Sequence, residues 1–369
     1  MNYFINLLKN IDKTLLIIPF FFAAISVTMI GSTAYADHFI FSRDMQIQLI
    51  AYLLGIFAIG VILFFDYSIF KKFEKIFYIA SIVLLLCVYI PGLGSSQKGA
   101  RGWLDFGPIN VQPAELVKIS FILMFAHFLC RHKEELFSFK GLVRCGMYAA
   151  PFLFLILIQP DLGNVLVFCV IAAIMIFSAG VEGKLYAKVL GGVAASMPIA
   201  YFLMKEHQKI RIDAFLNPSD LSLPGNYQVW QSKIAIGSGG FLGKGLFQGT
   251  QKELKFLPVQ KSDFIFSVIV EELGMLGGGF VIALYTLFLY RIMRIIDNAK
   301  DLYGALIVTG IFAMFTFQIF ENIGMTMGLM PVTGITLPFI SYGGSSIVTN
   351  MVALGLVLNV GMRSKLINF

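Results

Sequence analysis

The chain has 369 residues, of which 58% are hydrophobic and 13% charged, and its mean hydropathy is +0.82. A soluble domain is about half apolar and about a quarter charged, so this composition excludes a soluble globular protein and indicates an integral membrane protein. The formal net charge is +7. Its basic residues gather at the ends of apolar segments, a membrane-protein pattern, and we therefore expect no nucleic-acid partner.

Ten apolar segments are long enough for transmembrane helices, which need about 20 residues, with a range of about 17–25. They are residues 13–33, 46–66, 74–91, 113–130, 142–159, 161–180, 185–204, 264–290, 303–324 and 342–362. The first run exceeds the hydrophobic region of a signal peptide, so we expect a retained helix. The eighth is long, and its glycines predict a tilt or a break near 277–279. The predicted fold class is an all-α polytopic membrane protein.

Lysine and arginine predict the orientation, because the cytoplasmic loops of membrane proteins are enriched in them. With a cytosolic N-terminus, sixteen basic residues fall in cytosolic segments, whereas the short outer loops hold three, Arg43, Lys98 and Arg101. Both termini are then cytoplasmic. One large extracytoplasmic loop, residues 205–262, joins helices seven and eight. We treat residues 1–369 as a single transmembrane domain.

Asp263 is the side chain that most strongly suggests chemistry. It stands where the long loop enters the eighth apolar segment, and Glu271 and Glu272 follow inside that segment. A carboxylate near hydrocarbon is costly, so each needs a partner or a function. A polar substrate and a lipid tail could meet at Asp263. Glu271 and Glu272 lie about two to three turns deeper, and we interpret them as structural or supporting groups.

Other polar groups mark the ends of predicted helices. Glu115 and Lys118, spaced i, i+3, share one face of the fourth helix, and we expect them to pair in the bundle interior. A polar path for substrate or protons is the alternative. Asp161 is placed to cap the sixth helix. Further polar groups are predicted on the same outer side: Glu321, Asn322 and residues 341–346.

Basic residues of the outer segments could bind an anion. The guanidinium of Arg101 suits bidentate binding of phosphate, although an ordinary contact with lipid headgroups is the competing interpretation. The long loop holds eight basic residues against four acids. Within it, residues 228–236 are expected to form a helix at the membrane surface, with Trp230 as an anchor. Residues 237–249 are rich in glycine and could approach an anion, but a flexible basic loop near anionic lipid is equally compatible with this sequence.

Nucleophile and metal motifs do not emerge. The four histidines lack the i, i+4 spacing of a zinc site, and the four cysteines have neither metal-like nor disulfide-like spacing. Acid–base chemistry by carboxylates is therefore the enzymatic route that this sequence favours.

Several motifs together resemble the SEDS family (shape, elongation, division and sporulation), and within it the elongation branch. They are residues 99–101 (Gly-Ala-Arg), 112–118 (Gln-Pro-Ala-Glu-Leu-Val-Lys), 159–163 (Gln-Pro-Asp-Leu-Gly), 231–240, 256–258, 262–266 (Ser-Asp-Phe-Ile-Phe), 271–274 (Glu-Glu-Leu-Gly), 331–338 and 341–345 (Ser-Tyr-Gly-Gly-Ser). They extend from helix three to helix ten. One departure is residues 259–262, Val-Gln-Lys-Ser, where the family often has Glu-x-His-Thr.

The resemblance implies a peptidoglycan glycosyltransferase of the bacterial cytoplasmic membrane, which polymerises lipid II into glycan strands. It implies that Asp263 is the catalytic acid and that Arg101, Glu115 and Lys118 match other functional positions. Three loop residues are weaker substrate-binding candidates, selected for their charge and position: Arg211, Lys233 and Lys244.

The resemblance also implies partners: lipid II, a class B penicillin-binding protein (a transpeptidase), other elongation-complex proteins and membrane lipid. No cofactor is required by the sequence, and no metal-ligand cluster is evident. A divalent cation, Mg or Mn, could assist with the substrate's diphosphate.

Two other classes of function remain open at this point. A lipid II flippase or transporter would use Glu115 and Lys118 and would not need Asp263 as a base; transport into liposomes without polymer would indicate it. A non-catalytic scaffold for a transpeptidase would support neither reaction.

Overall fold

The computed structural model describes residues 7–34, 41–97, 100–107, 110–203, 206–253, 257 and 259–364. Each of the ten predicted segments forms a helix. These helices are α1 Lys13–Ala34, α2 Arg43–Phe64, α3 Glu74–Leu86, α4 Pro113–Arg131, α5 Phe139–Ile158, α6 Leu162–Ser178, α7 Gly183–Leu203, α11 Ile265–Asp297, α12 Leu302–Met327 and α13 Gly344–Ser364. The long loop contains α8 Glu206–Leu216, α9 Asn226–Gly239 and the short α10 Thr250–Glu253. Lys98, Gly99 and most of the 256–258 motif lie outside the described residues.

Seven of the described helices are long and apolar enough to cross a membrane: α1, α2, α4, α5, α11, α12 and α13. Helix α6 is a shorter apolar helix, and α3 has 13 residues between the 3-10 turns Tyr67–Phe73 and Cys87–Tyr89. The outer helices expose large apolar side chains such as Leu53 and Phe57 of α2, as expected of surfaces that contact lipid. The prediction of a helical, polytopic membrane protein is confirmed.

Helices α4, α12 and α13 form the centre of the bundle, since most of their side chains are buried. Each packs against the other two, while α2 packs along α13, α6 along α12, and α11 against both α1 and α12. This arrangement places the polar residues of the three central helices in the protein interior instead of in lipid. A polar group is tolerated at such depth only with partners.

A small antiparallel sheet, which the sequence analysis did not predict, lies between α3 and α4. Its strands are β1 Gly94–Gln97, β2 Ala100–Asp105 and β3 Asn110–Val111, in that spatial order. Leu104 pairs with Gly94 on one side and with Val111 on the other, and it is buried. Strands β1 and β3 have only four and two residues, and β2 (Ala-Arg-Gly-Trp-Leu-Asp) has no strict alternation of apolar and polar residues, so no local pattern predicts the sheet. The sheet fixes the position of Arg101 at the start of β2.

Helix α11 is broken at Gly274, three residues before the glycines 277–279 near which the sequence predicted a tilt or a break. Gly274 has φ 68° and ψ −169°, a conformation that is essentially confined to glycine. Its neighbour is the backbone of the long loop, because a Cβ built on Gly274 would lie 2.3 Å from the nitrogen of Gly243. The loop docks into this break: Met275 donates its N–H to Gly240 O at 2.9 Å, and Lys244 donates its N–H to Glu271 O at 3.0 Å.

Residues 331–343, between α12 and α13, form a non-helical segment whose inner part is buried. Such backbone is tolerated at membrane depth only where protein satisfies its polar groups. Side chains of three helices do so: Ser26 Oγ donates to Ile340 O at 2.7 Å, Tyr285 Oη to Pro338 O at 2.5 Å, and Tyr52 Oη to Phe339 O. These hydrogen bonds hold residues 331–343 in a fixed position at one end of the bundle, and we call this stretch the floor segment.

Candidate active site

Asp263 lies immediately before α11 and is almost completely buried, with 5% of its surface exposed. Its Oδ1 accepts a hydrogen bond from Ser262 Oγ at 2.8 Å, and its N–H donates to Val259 O at 3.2 Å. A Cβ built on Gly334 would lie 3.8 Å from Asp263 Oδ2. The carboxylate therefore lies against the 331–343 segment, at a point where that segment has no side chain.

Two side chains bind the backbone of Asp263 and its neighbour to that floor. Asn322 Nδ2 donates to Asp263 O at 2.9 Å and to Ile335 O at 2.8 Å. Ser341 Oγ donates to Ser262 O at 2.5 Å and accepts from the N–H of Leu337 at 2.9 Å. The position of the acid is thus fixed by α12 and by the residues that precede α13, far from it in sequence.

Asp161 is the N-cap residue of α6 and lies at the same end of the bundle. As predicted, it caps that helix: Oδ1 accepts from Asn164 N at 3.0 Å, and Oδ2 accepts from Asn164 Nδ2 at 2.8 Å. Oδ2 also accepts from Gln112 Nε2 at 3.0 Å. The same motif supplies Gly163, where an added Cβ would lie 2.8 Å from Thr333 O. A second acid, Glu321 of α12, accepts from Thr333 Oγ1 at 2.7 Å.

Arg101 lies on β2 and is exposed. It is next to the Asp161 cluster, which consists of Asp161, Asn164, Gln112 and Gln159. Its guanidinium carbon is 5.7 Å from the centre of the Tyr89 ring, a cation–π contact. The adjacent Gly102 borders the cluster, because an added Cβ would lie 3.5 Å from Gln159 Oε1 and 4.0 Å from Asp161 Oδ2. An exposed guanidinium is thus held at the rim of a mostly buried acidic and amide-rich cluster.

Glu115 and Lys118 form the predicted pair, with Lys118 Nζ 2.7 Å from Glu115 Oε1. Lys118 has no exposed side-chain surface, and Glu115 is 6% exposed. Both therefore belong to the bundle interior, beneath the start of α4. Their contribution to binding substrate stays a prediction, because Lys118 contacts Glu115 in this conformation and has no accessible surface.

The three basic candidates of the long loop lie in two places. Arg211 of α8 lines a small cavity with Val229 and Pro331, beside the floor segment. Lys233 of α9 extends over the end of α12, since a Cβ built on Gly328 would lie 2.5 Å from its Nζ. Lys244 is elsewhere, with Nζ 2.8 Å from Glu271 Oε1. Their role as substrate-binding residues stays a prediction.

Glu271 and Glu272 hold the glycine-rich part of the long loop, in agreement with their interpretation as supporting groups. Glu271 Oε1 accepts from Lys244 Nζ, from Thr250 Oγ1 at 3.2 Å and from Gln251 N at 3.0 Å. Glu272 accepts from Phe247 N at 3.0 Å through Oε2 and from Ser32 Oγ at 2.5 Å through Oε1. Both glutamates are fully buried. The loop supplies the donors to Glu271 Oε1 and Glu272 Oε2, and Ser32 of α1 supplies the donor to Glu272 Oε1.

Residues 228–236 lie within the helix α9, from Asn226 to Gly239, so the predicted helix is confirmed, and its location at the membrane surface stays a prediction. It packs against α11, and Trp230 is 49% exposed. Among the described residues, no group of three or more His, Cys, Asp or Glu side chains could hold a metal ion. The divalent cation stays a prediction.

A family model for cell cycle proteins of the FtsW, RodA and SpoVE type matches residues 7–366. The chain belongs to the FtsW/RodA/SpoVE family, the SEDS family. The resemblance expected from the motifs is therefore confirmed over nearly the whole sequence.

Two curated members of the FtsW/RodA/SpoVE family are similar along their full length. Stage V sporulation protein E of Bacillus subtilis (strain 168) is 36% identical, and the match covers 96% of this chain and 98% of that protein. Peptidoglycan glycosyltransferase MrdB of Escherichia coli (strain K12) is 34% identical, with 97% and 95% covered. A solved chain, from work on how a peptidoglycan synthase complex coordinates polymerization and crosslinking, has a TM-score of 0.82 at 28% identity, covering 96% and 99%.

Sequence reasoning missed several residues that support the FtsW/RodA/SpoVE site. Thr333 and Gly334 lie in the 331–338 motif, but no contact was predicted for them, and no role was predicted for Tyr285 or Ser26. Gln48 was also missed: its Nε2 donates to Ser341 O at 3.1 Å, and its Oε1 accepts from Gly343 N at 3.2 Å. A polar amide inside a predicted transmembrane segment was the signal that could have identified it.

Proposed function

We propose that this chain is a peptidoglycan glycosyltransferase that polymerises lipid II, with Asp263 as its general base. Its family and its curated relatives support the reaction class. The observation that carries the residue assignment is the placement of Asp263. Its carboxylate is enclosed by protein, accepts from Ser262 and lies against the bare backbone at Gly334, and Asn322 holds its backbone carbonyl. Preorganised groups of this kind contribute most to catalysis when they do not move during the reaction.

The proposed chemistry is one displacement. The acceptor's sugar 4-hydroxyl attacks the anomeric carbon of the donor, and a new C–O bond forms. The bond between that carbon and the diphosphate breaks, and its electron pair leaves on the undecaprenyl diphosphate. The hydroxyl proton passes to the carboxylate of Asp263, which acts as the general base, and the anomeric centre is inverted. Because diphosphate can leave without protonation, a second acid is not required.

The leaving diphosphate gains negative charge, which nearby cations would stabilise. Arg101 suits this task because it is exposed, lies at the rim of the Asp161 cluster and has a planar guanidinium that matches phosphate oxygens. Arg211 and Lys233, beside the floor segment, are the next candidates. A divalent cation held with the diphosphate would serve the same purpose.

The orientation in the membrane, the cellular role and the partner belong to the same proposal. We propose that the ten helices α1–α7 and α11–α13 cross the bacterial cytoplasmic membrane, with both termini in the cytoplasm and the Asp263 end outside. The cell elongation role belongs to the same proposal, as does a class B penicillin-binding protein as partner. The likeness to a chain of a peptidoglycan synthase complex supports a partner that performs crosslinking.

The experiment is polymerisation of purified lipid II by the purified protein, with and without the partner. Asp263→Asn should abolish glycan polymer while leaving membrane insertion and yield unchanged. Asp220→Asn is the matched control, because Asp220 is an exposed acid of the same long loop. Full polymerising activity in Asp263→Asn would refute the assignment, and lipid II transport without polymer by the wild type would indicate the flippase alternative.

A further inference from the structure

Lys261, two residues before Asp263, is held by three contacts on one side of the loop. Its Nζ lies 2.6 Å from Asp44 Oδ2 and 4.5 Å from the centre of the Tyr342 ring. Its carbonyl oxygen accepts the N–H of Tyr342 at 2.9 Å. The Tyr342 side chain is also hydrogen-bonded to Asp44, so Lys261, Asp44 and Tyr342 form a closed set of contacts.

These contacts connect the Asp263 loop to a rigid support. Asp44 is in the first turn of α2, whose N-cap, Ser42, accepts from Met45 N at 3.3 Å. One turn further along α2, Gln48 bonds the backbone of Ser341 and Gly343. Helix α2 thus fixes the floor segment through Gln48 and the Asp263 loop through Asp44. The route from Lys261 to the acid is then short, because Ser262 both joins the two residues and donates to the Asp263 carboxylate.

We propose that Lys261 is a positioning residue for the glycosyl transfer, acting through Asp44 and Tyr342 to hold the Asp263 carboxylate at the working distance from the acceptor hydroxyl. This inference rests on the proposed role of Asp263. Misplacing a catalytic group by about 1 Å can cost about a hundredfold in rate, so a loop anchor this close to the acid has a large effect for a modest interaction energy. Lys261 is 41% exposed and Asp44 30%, so the pair contributes little to global stability.

A cation that bound the donor's diphosphate directly would behave differently. Removing Asp44 would then free the ammonium and leave binding unchanged or stronger. In the positioning role, removing either partner breaks the same contact. Asp44→Asn therefore distinguishes the two roles: kcat should fall if Lys261 positions the acid, whereas activity should be unchanged or higher if Lys261 binds the diphosphate.

The first experiment is a double-mutant cycle measured by lipid II polymerisation, with kcat and KM determined separately. Lys261→Met and Asp44→Asn should each lower kcat about threefold to tenfold with little change in KM. The kcat of the double variant should be no lower than that of the less active single variant, because all three variants lack the same contact. Lys261→Arg, which keeps the charge and the ring contact, should retain activity. Any of three results would overturn the proposal: kcat losses of the single variants that multiply in the double variant, a raised KM without a change in kcat, or full activity in Asp44→Asn.

The second experiment uses a titrating side chain. Histidine changes charge between about pH 5 and 8; in Lys261→His, pairing with Asp44 would raise the imidazole pKa, so the cation is present at low pH and lost as pH rises. The rate of this variant relative to the wild type should therefore fall between about pH 6 and 8. The other charged or titratable groups near position 261 are Tyr342, which Lys261 contacts, Arg43, whose charge acts on Tyr342, and Asp263, two residues later in the chain; the wild-type ratio removes their shared effects. A flat ratio would contradict the positioning role.

The outcomes separate this inference from the function on which it rests. Loss of polymer in Asp263→Asn with wild-type kcat in Lys261→Met would overturn only the positioning role. Full activity in Asp263→Asn would refute the general base itself.

Discussion

The side-chain amide of Asn322 donates a hydrogen bond to the carbonyl oxygen of Asp263, 59 residues earlier in the chain, at 2.9 Å. The same nitrogen donates to Ile335 O at 2.8 Å. One buried side chain of α12 therefore joins the loop that carries the acid to the floor segment beneath it. This contact explains how a loop residue can be held as firmly as a residue in a helix.

Replacing Asn322 by Leu should damage the site more than the loss of one contact suggests. Two buried carbonyl oxygens would lose their donor, and each unsatisfied buried group costs about 1–3 kcal/mol. We expect a lower unfolding temperature in detergent and at least a tenfold loss of lipid II polymerisation. Asn298→Leu, at the exposed end of α11, is the control and should change neither. Unchanged stability and rate in Asn322→Leu would show that the bridge is dispensable.

Lys118→Met should be among the most destabilising substitutions in the protein. It would leave Glu115 buried without its cation, and breaking a buried pair by removing one partner costs about 3–5 kcal/mol. Glu115→Ala should impair folding or activity comparably. The variant carrying both Glu115→Gln and Lys118→Met should recover part of the stability, because no isolated charge remains. Thermal unfolding and yield of the purified protein measure this, and a double variant less stable than Lys118→Met would contradict the pairing argument.

Gly274→Ala should detach the glycine-rich loop from α11. An alanine Cβ would lie 2.3 Å from Gly243 N and 2.4 Å from Phe241 O, both backbone atoms that cannot move without displacing the loop. Gly279→Ala is the matched control, because a Cβ there meets no atom within 4 Å and alanine favours a helix over glycine by about 1 kcal/mol. Proteolysis within 240–251 should accelerate only in Gly274→Ala. Equal behaviour of the two variants would mean that the break at Gly274 is not required.

Lys244→Met distinguishes a loop anchor from a substrate ligand. Its ammonium bonds both Glu271 Oε1 and Thr250 Oγ1, so its removal leaves a buried glutamate with fewer donors. We expect faster hydrogen exchange in residues 240–251 and a lower unfolding temperature, with the KM for lipid II nearly unchanged. Lys300→Met, at an exposed position beyond α11, should have no effect. A raised KM with normal loop protection would instead support the prediction that Lys244 binds substrate.

Much of the fold could be predicted because apolar runs act locally. Eight of the ten predicted helices begin and end within three residues of their segments, whereas α3 ends five residues early and α11 ends seven residues late. The Glu115–Lys118 pair and the Asp161 cap follow from spacing along a single helix. The break in α11 could not be located in this way. Three glycines at 277–279 were the stronger local signal, yet the break lies at Gly274, because the loop that docks there comes from a distant part of the chain.

The candidate site shows the same division. Asp263 could be selected from the sequence, because a carboxylate that enters an apolar segment demands an explanation. Its partners could not be selected, since Asn322, Gly334 and Asp44 come from three separate elements and meet only when the bundle closes. Lys244 illustrates the consequence: its charge suggested an anion ligand, whereas packing places it on Glu271.

The amino-acid sequence alone shows that this is a helical membrane protein, indicates which long segments form its helices, and makes Asp263 the leading catalytic candidate. Hydrophobicity along the chain and the cost of a charge in hydrocarbon are local quantities, and they suffice for these conclusions. The contacts that hold this acid in place are visible only in the folded protein. The floor segment, the Asn322 bridge and the Lys261–Asp44 contact depend on hydrogen bonds and ion pairs between residues far apart in the chain, and no local pattern encodes such geometry.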